Sequence, residues 1–194
     1  QEDKSVINSS NSLVAPISES IANPQPVLQF QGVENDGTLR YEYAQWGNNQ
    51  SPNHYPAFNN CGSFAWNFTV FKTGISTNKS IYVLFKDDDP FSVSGINICE
   101  DCNVIKLDDY LPNGSDSYWT GWNDSYNIYS STNAVPNSGI VKMYTQTRLK
   151  ETIEWAKKGI SADSNKVYLT GISHNAFGAL ITSQLWPDMV TAVY

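Results

Sequence analysis

The feature that most restricts the fold of this chain is the block TQTRLKETIEWAKKGISADSNKVYLTGISHNAFGAL, residues 145–180. In its first part Leu149, Ile153 and Ala156 recur at helical spacing. Thr145 or Thr147 can cap the start of that helix. Lys157 and Lys158 suit its negative dipole end, and Gly159 can stop it. A loop with Asp163 then leads into NKVYLTG, a run that reads as a strand. At Gly171-Ile172-Ser173 the pattern breaks. It resumes as NAFGALITSQLW, a second helix with Phe177, Leu180, Ile181 and Leu185 as its apolar residues and Pro187 just past its end. Helix, strand, sharp turn and helix in that order, between further strands, argue for a largely parallel sheet.

Upstream, TLRYEYAQW (38–46) alternates like a half-buried strand, and SFAWNFTVFKTG follows as another. SIYVLFK (80–86) is a continuous apolar run of the kind buried on both faces of a parallel sheet, and NVIKL (103–107) is similar but shorter. TAVY, at 191–194, reads as the start of a further strand. The predicted class is α/β, with a mostly parallel sheet, flanking helices and antiparallel strands at the N-terminal side. Residues 1–27 read as a flexible lead, and 28–194 as the N-terminal portion of a single domain. The stretch 108–139 is irregular yet too aromatic for a plain linker, so it is expected to pack on the body or border a cleft.

Composition excludes some functions. A net charge of −7 argues against nucleic acid as a partner, because phosphate binding needs clustered Lys and Arg. No apolar run approaches the ~20 residues of a membrane span. Charged residues are sparse at 16%. Asn-x-Ser/Thr triplets at Asn8, Asn49, Asn67, Asn78, Asn113 and Asn123 permit glycosylation. The polar first residues look like a mature terminus left after a signal peptide is removed. Together these features suggest a secreted, periplasmic or cell-surface protein. Cys99 and Cys102 form a lone C-x-x-C, which lacks the second pair a zinc site needs; a local disulfide or two plain thiols is expected, with Cys61 left over.

A serine hydroxyl attacks a carbonyl only when a base takes its proton, and one way to present it is a tight strand-to-helix turn at a sheet's carboxyl rim. The sequence from 147 to 180 resembles the RVYLTGxSxGGxGA block of the α/β-hydrolase superfamily, in particular its secreted esterase, depolymerase and prolyl-oligopeptidase-like members. The order of helix, Asp-containing loop, strand and Gly-x-Ser also matches. The resemblance extends over about residues 80–194 and implies an α/β-hydrolase fold, incomplete within this chain. It implies Ser173 as nucleophile and the backbone N–H of His174 as half of an oxyanion hole, the other half coming from the loop after SIYVLFK. No cofactor is implied.

The chain also departs from that family. Asn175 and Ala176 stand where Gly-Gly is usual, and an Asn side chain needs room where strand and helix nearly touch. Lys86 and Asp87 open the loop expected to border the substrate. Asp87, Asp88 and Asp89 read as a solvated loop, with calcium binding as the alternative. Trp119 and Trp122 are candidates to border the substrate cleft; their rings read either as packing for the long loop or as a sugar platform. The only histidines are His54 and His174. In the family the acid and the base histidine follow the serine well downstream, so both are expected beyond residue 194. The reading is a serine hydrolase acting on ester, peptide or glycan-linked substrates through an acyl-enzyme. The alternative is a non-catalytic hydrolase-fold protein serving as an extracellular glycan-binding or assembly subunit.

Overall fold

The computed structural model describes residues 25–49, 57–73, 77–86 and 102–194. The strands are β1 (Val27–Val33), β2 (Leu39–Asn48), β3 (Ser63–Lys72), β4 (Lys79–Phe85), β5 (Cys102–Leu107), β6 (Trp122–Asn123), β7 (Val141–Lys142), β8 (Ala162–Gly171) and β9 (Ala192–Val193). The helices are α1 (Tyr144–Gly159) and α2 (His174–Leu185), with a 3-10 turn at Pro187–Met189. Seven strands form one sheet in the order β1-β2-β3-β5-β4-β8-β9, and β6 pairs with β7 apart from it.

The sheet is antiparallel from β1 to β5 and parallel from β5 through β4 and β8 to β9. The expected α/β class and the antiparallel N-terminal strands are both present. β1 is an addition, lying in VLQFQGV where no strand was expected. All but one of its residues are exposed, so its side chains leave almost no burial pattern to read.

Strand β4 alternates buried and half-buried residues. Its Ile81, Val83 and Phe85 join Val167 and Leu169 of β8, Leu149, Ile153 and Ala156 of α1 and Ala179 of α2 in the main core. Burying each such aliphatic side chain contributes about 1.5–3 kcal/mol. The intervening Tyr82 and Leu84 belong to a separate cluster with Phe71, Cys102 and Val104. Both helices therefore pack on one face of the sheet, and among the described residues no helix covers the other. The expected flanking helices are α1 and α2, and both lie on this face.

Helix α1 spans almost the predicted range, but Met143 is its N-cap and makes no side-chain cap bond. Neither threonine caps it. The Thr145 hydroxyl pairs instead with that of Ser117, at 2.6 Å. The stretch 108–139 packs on the body around a second core of Trp66, Leu111, Trp122, Ile128 and Tyr144. Asn60 ties it down by donating to the Asp124 and Tyr126 carbonyls and accepting from the Trp122 indole. No described helix is long and apolar enough to cross a membrane.

Candidate active site

Register places Phe85 of β4 level with Leu107 of β5 and Gly171 of β8. Lys86, Asp108 and Ile172 therefore leave the sheet side by side at its carboxyl rim, the end at which open α/β sheets bind ligands. Lys86 is half-buried, and its backbone N–H donates to the Leu107 carbonyl at 3.2 Å. Asp87 to Asp89 and His54 lie outside the described residues.

Ser173 occupies the turn between β8 and α2. It is exposed, and its backbone sits at φ 60, ψ −129. A non-glycine residue there carries about 1–3 kcal/mol of strain, which persists only if its surroundings enforce it. They do so from both sides. Strand β8 is paired up to Gly171. The chain then closes at once into α2, with Asn175 N–H donating to the Ile172 carbonyl and Ala176 N–H to the Ser173 carbonyl. A Cβ at residue 171 would lie 2.4 Å from the Asn175 carbonyl oxygen, so only glycine fits this crossing. Because α2 begins at His174, the serine hydroxyl stands at a helix N-terminus, where backbone N–H groups and the dipole favour negative charge.

Asn175, expected to need room here, meets Gly171 through its backbone, and its side-chain Oδ1 accepts the Trp119 indole N–H at 2.8 Å. Asn175 is buried at 6% exposure, and Trp119 at 0%. The Trp119 ring lies edge-on to Phe85, with centroids 4.8 Å apart, and a Cβ on Gly178 would meet it at 2.4 Å. Trp119 and Trp122 are thus core residues, and neither lines an open cleft. Of the two readings for this aromatic stretch, packing on the body is the one their burial fits.

Two further residues complete this arrangement without having been singled out for it. The buried Asp109 carboxylate accepts Ser117 N–H at 2.7 Å, Trp119 N–H at 2.8 Å and the Ser117 hydroxyl at 2.6 Å. Burial pushes its pKa up, against the opposing effect of these hydrogen bonds. Gln146 of α1 donates to the Trp119 carbonyl and accepts the Thr182 hydroxyl of α2 at 3.1 Å. The 117–119 segment is therefore bonded to β5's exit and to both helices. Burial likewise raises the neighbouring Asp108 to about 6, opposed mainly by Arg148. Arg148 itself donates to the Asp108 carbonyl and lies 4.3 Å from the Trp66 ring centroid.

Tyr118 and Trp119 both adopt left-handed backbone, at φ 50 and φ 59. Tyr118 is 63% exposed, and its ring meets that of His174 edge-on with centroids 6.1 Å apart. Tyr118 thereby lies beside the residue that follows Ser173.

No family profile and no curated protein matches the sequence. Solved structures do match its fold. A CE15 glucuronoyl esterase from Teredinibacter turnerae superposes with a TM-score of 0.56 at 8% identity, over 92% of this chain and 46% of that one. An S-formylglutathione hydrolase from Agrobacterium tumefaciens gives 0.53 at 14%, over 86% and 60%. Candida antarctica lipase A gives 0.50 at 10%, over 90% and 41%. The chain spans about half the length of the solved structures it resembles. Its fold is that of the α/β-hydrolases.

Proposed function

We propose that Ser173 is the nucleophile of a serine hydrolase that cleaves esters through a covalent acyl-enzyme. One observation carries the reading: an exposed serine held at φ 60, ψ −129 where a central parallel strand turns into a helix at the sheet's carboxyl rim. In this reading the turn is a nucleophile elbow. Ser173 Oγ forms a bond to the substrate carbonyl carbon and gives its proton to a histidine base other than His174. The His174 backbone N–H, with a donor from the loop that opens at Lys86, stabilises the oxyanion. Collapse breaks the carbon–oxygen bond to the leaving group, which takes the proton as an alcohol. Water then cleaves the acyl-enzyme by the same steps in reverse order.

That the solved structures sharing this fold include esterases and a lipase favours esters over peptides as the substrate class. A secreted or cell-surface location is part of the same proposal. Of the possible glycosylation sites, Asn78 is exposed in the turn before β4, whereas the amides of Asn113 and Asn123 are engaged in hydrogen bonds within the 108–139 stretch.

The direct test is fluorophosphonate labelling of the intact protein. Labelling mapped to Ser173 and abolished by Ser173→Ala is the expected result. A folded protein that takes up no label would remove the hydrolase reading and leave a binding or assembly role for the fold.

A further inference from the structure

We propose that Tyr118 determines specificity at the Ser173 site by stacking on an uncharged ring of the substrate; this rests on Ser173 being the nucleophile. Bulky non-glycine residues at positive φ are uncommon, and two aromatic ones in succession need an enforcing structure. For Trp119 the enforcement and the return are both visible. Its N–H is held by Asp109, its indole by Asn175, and its ring fills the space over Gly178 and beside Phe85. Tyr118 gains no such burial, since it is 63% exposed. The anchored Trp119 instead obliges its neighbour to stand outward, against the ring of His174, the residue that follows the serine. Ile172, the residue that precedes the serine, is 84% exposed and equally uncharged.

Ser173 is therefore flanked in sequence by an apolar side chain and, through His174, in space by an aromatic ring. A tyrosine ring offers a face for offset stacking on an aryl group or for contact with the C–H face of a sugar. Both are ring faces of one chemistry, and they come from different substrates. The Asn175–Trp119 bond is the positioning element, because it fastens the 117–119 segment to the helix that carries the site. Asn175, which departs from the family pattern at this turn, thereby has a physical role of its own.

The test compares the second-order inactivation rates of the intact protein by three fluorophosphonates, bearing an ethyl, a benzyl or a glucosyl group. A stacking contact is worth up to about tenfold in rate. At least one ring-bearing probe should exceed the ethyl probe by about that factor; which one it is distinguishes an aryl from a sugar substrate. Tyr118→Phe should keep the ratio and Tyr118→Ala should reduce it to about one, and Tyr118 is exposed enough for both to fold. Asn175→Ala should lower the same ratio by loosening the anchor. A ratio that Tyr118→Ala leaves intact, or no ring preference at all, overturns the Tyr118 assignment while Ser173 remains the nucleophile. Failure of all three probes to label Ser173 overturns both.

Discussion

The two helices lie on the same face of one sheet and are held there by opposite means. Helix α1 turns Leu149, Ile153 and Ala156 inward, each fully buried. Helix α2 buries Asn175, Gly178, Ala179 and Thr182, while its larger apolar residues Phe177 and Leu180 are 49% and 48% exposed. The first is fixed by the apolar area it removes from water. The second is fixed by close approach: small residues let it come against the Gly171 backbone and the Trp119 ring. That difference fits their positions. The turn at Ser173 needs the helix to start within bonding distance of the strand end, and a helix padded with large side chains would stand too far off.

Removing the ring that α2 closes upon should have the largest effect. Trp119→Ala is expected to cost about 4 kcal/mol, with the Ser173 turn losing its enforced geometry, read by urea unfolding and by near-ultraviolet circular dichroism. Leu149→Ala on α1 should cost about 3 kcal/mol in unfolding. If Ser173 is active, its labelling rate should be far less affected by Leu149→Ala than by Trp119→Ala. Equal effects on that rate would erase the distinction between the helices.

Helix α1 carries one inward charge, Arg148, and α2 carries none. Arg148 opposes, without cancelling, the burial that raises Asp108 from 3.8 to about 6. Since the folded pKa lies above the unfolded value, the carboxyl costs nothing below about pH 4, and its penalty grows as pH rises through 6. Discounted for partial exposure, the full penalty is about 2 kcal/mol. Unfolding free energies between pH 4 and 7 should therefore fall less steeply for Asp108→Asn than for the unmodified protein.

Asn175→Ala leaves the Trp119 indole N–H buried without its acceptor, for which about 1–2 kcal/mol is expected in urea unfolding. Asn175→Asp keeps an acceptor and should recover part of that loss at neutral pH. If Asn175→Ala were neutral, the bond between the segment and α2 would be incidental.

Periodicity was a sound guide to α1 because what it counts, apolar residues at helical spacing, is what that helix buries. The same reasoning placed β2 to β5 and β8, whose apolar runs are core. It predicted α2 as an element without indicating its packed face: Phe177, Leu180, Ile181 and Leu185 form the apolar set, while the buried positions are Asn175, Gly178, Ala179 and Thr182. Closeness of approach has no hydropathy signal. At the candidate site, Gly171 and Ser173 were legible because a strand–glycine–serine–helix succession leaves few backbone solutions. Asp109 and Gln146 were not, because their partners lie at Ser117, Trp119 and Thr182, and pairings of that range are set by the fold rather than by local spacing. Trp119 was singled out on its chemistry and then found in the core, while its neighbour Tyr118 faces outward.

The smallest effect is expected on the outer face of α2, and it sharpens the comparison most. Phe177 and Leu180 are each about half exposed, so Phe177→Ser and Leu180→Ser should change unfolding free energy by no more than about 0.5 kcal/mol if solvent is what they meet. A helix held by close approach can carry large side chains outward at little cost, because its position does not depend on burying them. If either substitution instead cost about 2 kcal/mol in the intact protein, those residues would be core there, covered by other parts of it. Helix α2 would then be buried on both sides, small residues against the strand and large ones against the cover, and the contrast with α1 would belong to one face of the helix alone.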